Sequence, residues 1–181
     1  MALTATMHRF EVSLSDVDRD VYEALDLRMA RHPSETMRFL LTRMLAYCLS
    51  YEEGIAFSKG GVSSTDEPAV SVRDPTGLLL AWIEVGSPSA ERLHKAAKAS
   101  RRVAVFTHTE LTALRREATS THIHKAHTIE VFRVDPALLD ELERAIQRNA
   151  ALEVVRNDGM LYVTIEGRTI EGEIARTFLG D

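Results

Sequence analysis

The stretch Asp66-Glu67-Pro68-Ala69-Val70-Ser71-Val72-Arg73, Asp74-Pro75-Thr76-Gly77, then Leu78-Leu79-Leu80-Ala81-Trp82-Ile83-Glu84-Val85-Gly86, decides how this chain folds. Its centre, Asp-Pro-Thr-Gly, is turn chemistry: proline presets φ at the second position and glycine closes the turn. The flanks are apolar or β-branched, so the stretch reads as a β-hairpin. Pro88 is tolerated in the first turn of a helix over 88–100. Residues 102–107 (RVAVFT) then form an apolar run of strand length. Strand, helix, strand in that order implies a crossover into parallel pairing.

Working outward, residues 7–15 alternate His8, Phe10, Val12 and Leu14 against polar neighbours. Residues 20–31 continue the period of two through Val21, Glu23, Leu25, Leu27 and Met29, so the two segments read as a hairpin across Ser15–Asp20. His32-Pro33-Ser34 stops the second strand, and Ser34 is suited to cap a helix over 34–52. Met37, Leu40, Leu41, Met44, Leu45 and Cys48 fall on one stripe of that helix. Downstream, Thr109 caps a helix over 109–118, residues 127–134 alternate as a strand, and Asp135-Pro136 opens an amphipathic helix over 135–149. Segments 151–156 and 160–165 flank Asn157-Asp158-Gly159 as another hairpin, and 168–178 reads as an edge strand. The expected class is α/β: a mixed central β-sheet flanked by helices, with an added N-terminal hairpin and C-terminal hairpin.

Composition sets the outer bounds. At 181 residues, with 45% hydrophobic and 27% charged side chains, the chain fits one globular domain spanning 1–181. A single cysteine, Cys48, excludes an internal disulfide framework, and on an apolar helix stripe it reads as a core thiol. No apolar run approaches the ~20 residues a bilayer span needs, and the start lacks a secretory core, so a cytoplasmic protein is expected. Charge is polarised. Between Arg92 and His127, eight basic residues face two acids, a net of +6 that leaves −11 for the rest of a chain whose net charge is −5. A basic stretch of this kind suits a nucleic-acid partner; the same residues also describe two ordinary solvated helices.

The candidate chemistry lies in carboxylates. A tight turn pairing Asp74 with Gly77 carries Glu67 opposite Glu84 on one face of the hairpin, and a one-residue bulge would put Asp66 there instead. Like charges in that position require a cation between them or a shared proton. Glu52, four residues beyond Cys48, lies on the apolar stripe of its helix. It either frays into water at the helix end or meets something positive. Three such carboxylates match the hard oxygen ligands that Mg²⁺ (or Mn²⁺) prefers, with Asp66, Glu67 and Glu84 as metal ligands. Arg92, Lys95 and Lys98 on the following helix are cations able to steady a developing phosphorane.

The order of acid on a helix, Asp/Glu-Pro at a hairpin start and Trp82-Ile83-Glu84-Val85-Gly86 on the return strand resembles the PD-(D/E)xK nuclease fold. More specifically, HPSETMRFLLTRMLAY, GIAFSKG, DEPAVSVRDPTG, WIEVGSPSAERLHKA and NDGMLYV together resemble the YaeQ family, over nearly the whole chain. The resemblance implies a variant of the restriction-endonuclease-like fold. It further implies that Glu52 matches the helix acid, Asp66 or Glu67 the motif aspartate, and Glu84 the acid of (D/E)xK. The lysine of that motif has no match, since Gly86 occupies its position. Relatives in which the lysine has moved to the next helix make Lys95 the substitute, with Arg92 next.

Two readings follow. One is metal-dependent hydrolysis of nucleic-acid phosphodiesters, with Glu52, Asp66 or Glu67, and Glu84 around Mg²⁺ or Mn²⁺ and Lys95 or Arg92 as the cation. The other is a descendant that binds nucleic acid along 92–127, or a protein partner, without turnover. A closed pocket in place of a groove would favour a small phosphorylated substrate. His122, His124 and His127 have a spacing compatible with metal ligation, but their polar neighbours favour a surface role. A lone Trp82 is read as packing, and Gly60-Gly61 lacks the spacing of a phosphate loop.

Overall fold

The computed structural model describes residues 4–60 and 66–181, so the second glycine of Gly60-Gly61 lies outside the described residues. The chain divides into two compact units: Met1–Leu41 with Val134–Ile174, and Thr42–Arg133 with Ala175–Asp181. Ten strands and four α-helices among the described residues make the class mixed α/β.

In the first unit, β1 (Thr6–Asp16) and β2 (Val21–Arg31) form an antiparallel hairpin from Thr6↔Arg31 to Asp16↔Val21. The alternation of β1 does what its period demands: Phe10, Val12 and Leu14 are buried while Arg9, Glu11 and Ser13 face out. On its other side β1 pairs in parallel with β8 (Asn149–Asn157). The sheet continues antiparallel through β9 (Met160–Ile165) to β10 (Arg168–Phe178). Helix α4 (Pro136–Ala145) buries Leu138, Leu139 and Leu142, and Asp135 caps it by accepting from the Ala137 amide at 2.9 Å. The helix stops ahead of the expected 149 because β8 takes over at Asn149.

In the second unit, β3 (Ile55–Phe57), β4 (Val70–Arg73) and β5 (Leu79–Val85) are antiparallel neighbours. From β5 the pairing turns parallel through β6 (Arg102–Thr107) and β7 (Glu130–Val134), with α2 (Ala90–Ala99) and α3 (Leu111–Ser120) as the connections. The end of β10 enters this unit beside β7, so the tail is not an edge strand. Trp82, Leu93, Val103, Val105, Leu114, Ile129 and Leu179 form the core around α2.

Three further boundaries differ from expectation, each for a local reason. Helix α1 (Met37–Leu49) starts after Thr36, whose Oγ1 accepts from the Phe39 amide at 3.1 Å; Ser34 instead bonds the His32 ring. Thr109 does not cap α3, because its hydroxyl is engaged with Ser87 and Thr107. The strand expected from 127 begins at Glu130, since Ala126–Thr128 form a 3₁₀ turn.

The hairpin register also shifts, and this bears on the site. The Asp74 amide bonds the Leu78 carbonyl at 3.0 Å, while the Asp74 carboxylate takes the amides of Thr76 and Leu78. The Gly77 amide does bond the Asp74 carbonyl at 2.9 Å, closing the expected turn, but with Leu78 also opposite Asp74 the ladder resumes one residue later than that pairing alone would set. A bulge between Val72 and Arg73 adds another step, giving Val70↔Ile83. That bulge is wedged against Gly54. A Cβ on Gly54, at φ +91°, would lie 2.0 Å from the Arg73 carbonyl oxygen, and the Arg73 amide bonds the Gly54 carbonyl. Continuing the register brings Glu84 level with Ala69, not with Glu67 or Asp66, so the expected face-to-face carboxylate pair does not form.

Candidate functional site

Glu84 points from β5 into a nearly dry setting, with the residue 5% exposed. Trp82, two residues earlier on the same strand face, donates its indole N–H to Glu84 Oε1 at 2.5 Å. Arg92 Nε donates to the same oxygen at 2.7 Å. Arg92 occupies the first turn of α2, placed by the Ser89 cap that accepts its amide. Its guanidinium also lies 5.8 Å from the Trp82 ring centroid and sends Nη2 to the Glu67 carbonyl at 2.7 Å. Burial pushes the Glu84 carboxyl above its ordinary range, while the Trp82 and Arg92 bonds oppose that shift.

One turn further along α2, Lys95 Nζ holds Asp66 at 2.8 Å, a pair with half or more of each side chain exposed. The lysine draws the Asp66 carboxyl below its usual range. Glu67 sends its carboxylate to Ser58 Oγ at 2.9 Å, and that bond, with the Gly60 amide, lowers it too. Of the expected residues, then, the fold groups Glu84, Arg92 and the Glu67 backbone, with Lys95 and Asp66 alongside. Glu52 is not among the buried acids: α1 ends at Leu49, and Glu52 is exposed beyond it.

A divalent cation needs carboxylate oxygens that converge and are not already spent on other donors. Glu84 Oε1 serves two donors, Asp66 serves Lys95, and Glu67 serves Ser58. This donor set, as arranged, does not fit Mg²⁺ or Mn²⁺. Among the described residues no group of three or more His, Cys, Asp or Glu side chains is placed to hold a metal ion. The missing lysine has a backbone reason: Gly86 is buried at φ +91°, a conformation costly for any side chain, and its amide bonds the Phe106 carbonyl.

The basic stretch is partly spent as well. Arg102 and Arg176 share Glu130, at 2.7 and 2.8 Å, and draw its carboxyl down against its burial. Lys98, Arg101, Arg116 and Lys125 are exposed. Sequence reading missed three groupings. Trp82 is a hydrogen-bond donor to Glu84, a pairing that the Trp-x-Glu spacing on one strand face signals. Glu130 joins two distant arginines, which no local signal reveals. His94, not His127, completes a trio with His122 and His124, the ring centroids lying 5.8 and 6.5 Å from that of His94. No helix among the described residues is long and apolar enough to cross a membrane.

Comparison with known proteins places this geometry in context. The family described as "YaeQ protein" matches the chain over residues 1–174. Among curated proteins, "Uncharacterized protein YaeQ" of Escherichia coli strain K12 is 30% identical over 173 residues, covering 94% of each chain. The Salmonella typhi protein of that description is 30% identical over the same length. Among solved structures, the YaeQ protein of Pseudomonas syringae superposes with a TM-score of 0.85 at 30% identity, covering 95% of both chains. That of Xanthomonas axonopodis pv. citri also gives 0.85, at 29% identity, covering 96% of this chain and 98% of the other.

Proposed function

Because this chain belongs to the YaeQ family, and because its buried acid is already committed to protein donors, we propose that it is a cytoplasmic nucleic-acid-binding descendant of the PD-(D/E)xK nuclease fold that binds without turnover. The observation that carries the reading is the Glu84 carboxylate, whose Oε1 accepts from both Trp82 and Arg92. In that arrangement Glu84 anchors the start of α2 to β5. Both cations expected to complete a nuclease centre are paired with acids of the chain, Lys95 with Asp66 and Arg92 with Glu84. The exposed Lys98, Arg101, Arg116 and Lys125 support a polyanion partner, since backbone phosphates are neutralised by such side chains without demanding a pocket.

The test is fluorescence anisotropy with labelled single- and double-stranded DNA and RNA in EDTA, across a salt series. Binding that weakens with salt, survives Glu84→Gln and falls when the exposed Arg101 and Arg116 are changed to glutamine supports the reading. Failure to bind any of these at low salt refutes it. Cleavage in Mg²⁺ or Mn²⁺ that Glu84→Ala abolishes replaces it with metal-dependent phosphodiester hydrolysis.

A further inference from the structure

Three histidines and a lysine meet where α2 ends and the segment after α3 returns. His94 and Lys98 are four residues apart on α2, hence on one helix face. His122 and His124 follow α3, and their rings lie against that of His94. The charged groups acting on His94 are Lys98, His122 and His124, each a cation or able to become one. Such a grouping opposes itself electrostatically, so it gains when an anion arrives.

One hydrogen bond determines which ligand suits it. The His124 amide donates to His94 Nδ1 at 3.1 Å. A ring nitrogen that accepts cannot carry the proton, so the neutral ring holds its proton on Nε2. A metal at Nε2 would require the other tautomer and would break the bond to His124. The ring is therefore set up as a donor and not as a ligand. Burial and the nearby Lys98 hold His94 below the usual imidazole range, while a backbone hydrogen bond with His122 works the other way, so this ring braces the segment that carries His122 and His124. Beside it stand the Lys98 ammonium, exposed, and the His122 and His124 rings, exposed and half-buried. Donors from a lysine and several imidazoles match the several acceptor oxygens of a phosphate group.

We propose that His94, Lys98, His122 and His124 form a phosphate-binding site, taking either a backbone phosphodiester of a nucleic acid or a free phosphate. The site deepens the nucleic-acid reading by giving one backbone phosphate a specific position, but it stands or falls by its own measurement.

The experiment is a titration of the full chain with inorganic phosphate, followed by the imidazole ¹H–¹⁵N signals at about pH 7. A single-stranded oligonucleotide is titrated in parallel. Phosphate is expected to move the signals of His94, His122 and His124 together, and to bind about threefold more weakly in Lys98→Gln. His122→Gln, an exposed change with little bearing on folding, should also weaken it. No shared movement of these signals, or equal affinity in both variants, overturns the site. Zn²⁺ moving the same signals where phosphate does not overturns it in favour of a metal centre. If phosphate binds and the oligonucleotide does not, the site holds for free phosphate and the nucleic-acid reading alone fails. If the oligonucleotide binds equally well in both variants and phosphate moves nothing, that reading survives and the site does not.

Discussion

Removing the positive charge of Arg92 should expose how strongly the core of the second unit depends on one ion pair. Arg92→Met is the informative change, because it keeps an unbranched apolar side chain of similar length while the guanidinium, 5.8 Å from the Trp82 ring centroid, disappears. Breaking a fully buried pair by removing one partner costs about 3–5 kcal/mol. Here the Glu84 side chain is 6% exposed but that of Arg92 is 22% exposed, and the Trp82 bond remains. These moderate the expectation to about 2–3 kcal/mol. The loss must depend on pH. The Glu84 carboxyl already titrates above its unfolded value, so its protonated form is favoured in the fold, and removing Arg92 raises it further. A carboxyl raised on folding contributes stability that is fully present below its unfolded pKa and fades as pH rises through the folded one. The deficit of Arg92→Met should therefore be at least about 1 kcal/mol smaller at pH 5 than at pH 7.5. Urea denaturation of the wild type, Glu84→Gln, Arg92→Met and the double variant at both pH values makes the measurement. The double variant should recover much of the loss, with a coupling of at least about 1 kcal/mol. A deficit below about 0.5 kcal/mol, or one that is the same at both pH values, refutes the reasoning.

Three further outcomes are expected. Gly54→Ala should destabilise by about 3 kcal/mol or more, since its Cβ would meet the Arg73 carbonyl at 2.0 Å with φ at +91°; thermal unfolding by circular dichroism reads the loss, and an unchanged midpoint would contradict the bulge geometry. His8 is buried, neither ring nitrogen has a hydrogen-bond partner among the described residues, and burial, with Arg31 and Arg148, lowers its pKa. Its folded pKa lying below 6.5, stability is complete above that pH and falls as pH drops through it; His8→Phe should flatten this limb of the stability curve and leave stability at pH 7.5 equal or about 1 kcal/mol higher. Cys48 is fully buried and its thiol is pushed up to about 12, so a thiol reagent should leave the native protein unlabelled and react only in denaturant; prompt labelling at pH 8 would place the side chain elsewhere.

Much of the architecture was legible in the residues because burial imprints a local period. The alternation of His8 to Leu14 became β1, the apolar run 102–107 became β6, and the helix stripe from Leu40 to Cys48 is buried throughout. Of the candidate site, the proximity of several side chains was legible and their bonding was not. Asp66, Glu67, Glu84, Arg92 and Lys95 do gather around the start of α2, yet as ion pairs and side-chain-to-backbone bonds in place of a converging acid cluster. Of the two alternatives for Glu52 the structure shows the solvent-exposed one, because a helical wheel continues past the point where the real helix unwinds, three residues before that acid.

By itself the sequence determined which segments are strands and helices, the mixed α/β class, the polarised charge and membership of the family, since each is written in neighbouring residues or in their order along the chain. Tertiary structure alone decided the hairpin register, the pairing of Glu84 with Arg92 and the gathering of His94 with His122 and His124. The register turns on Arg73 bonding to Gly54, nineteen positions away, and the histidines meet across an intervening strand and helix. A period of two or 3.6 specifies which face of an element is buried, but carries no record of which distant element will cover it.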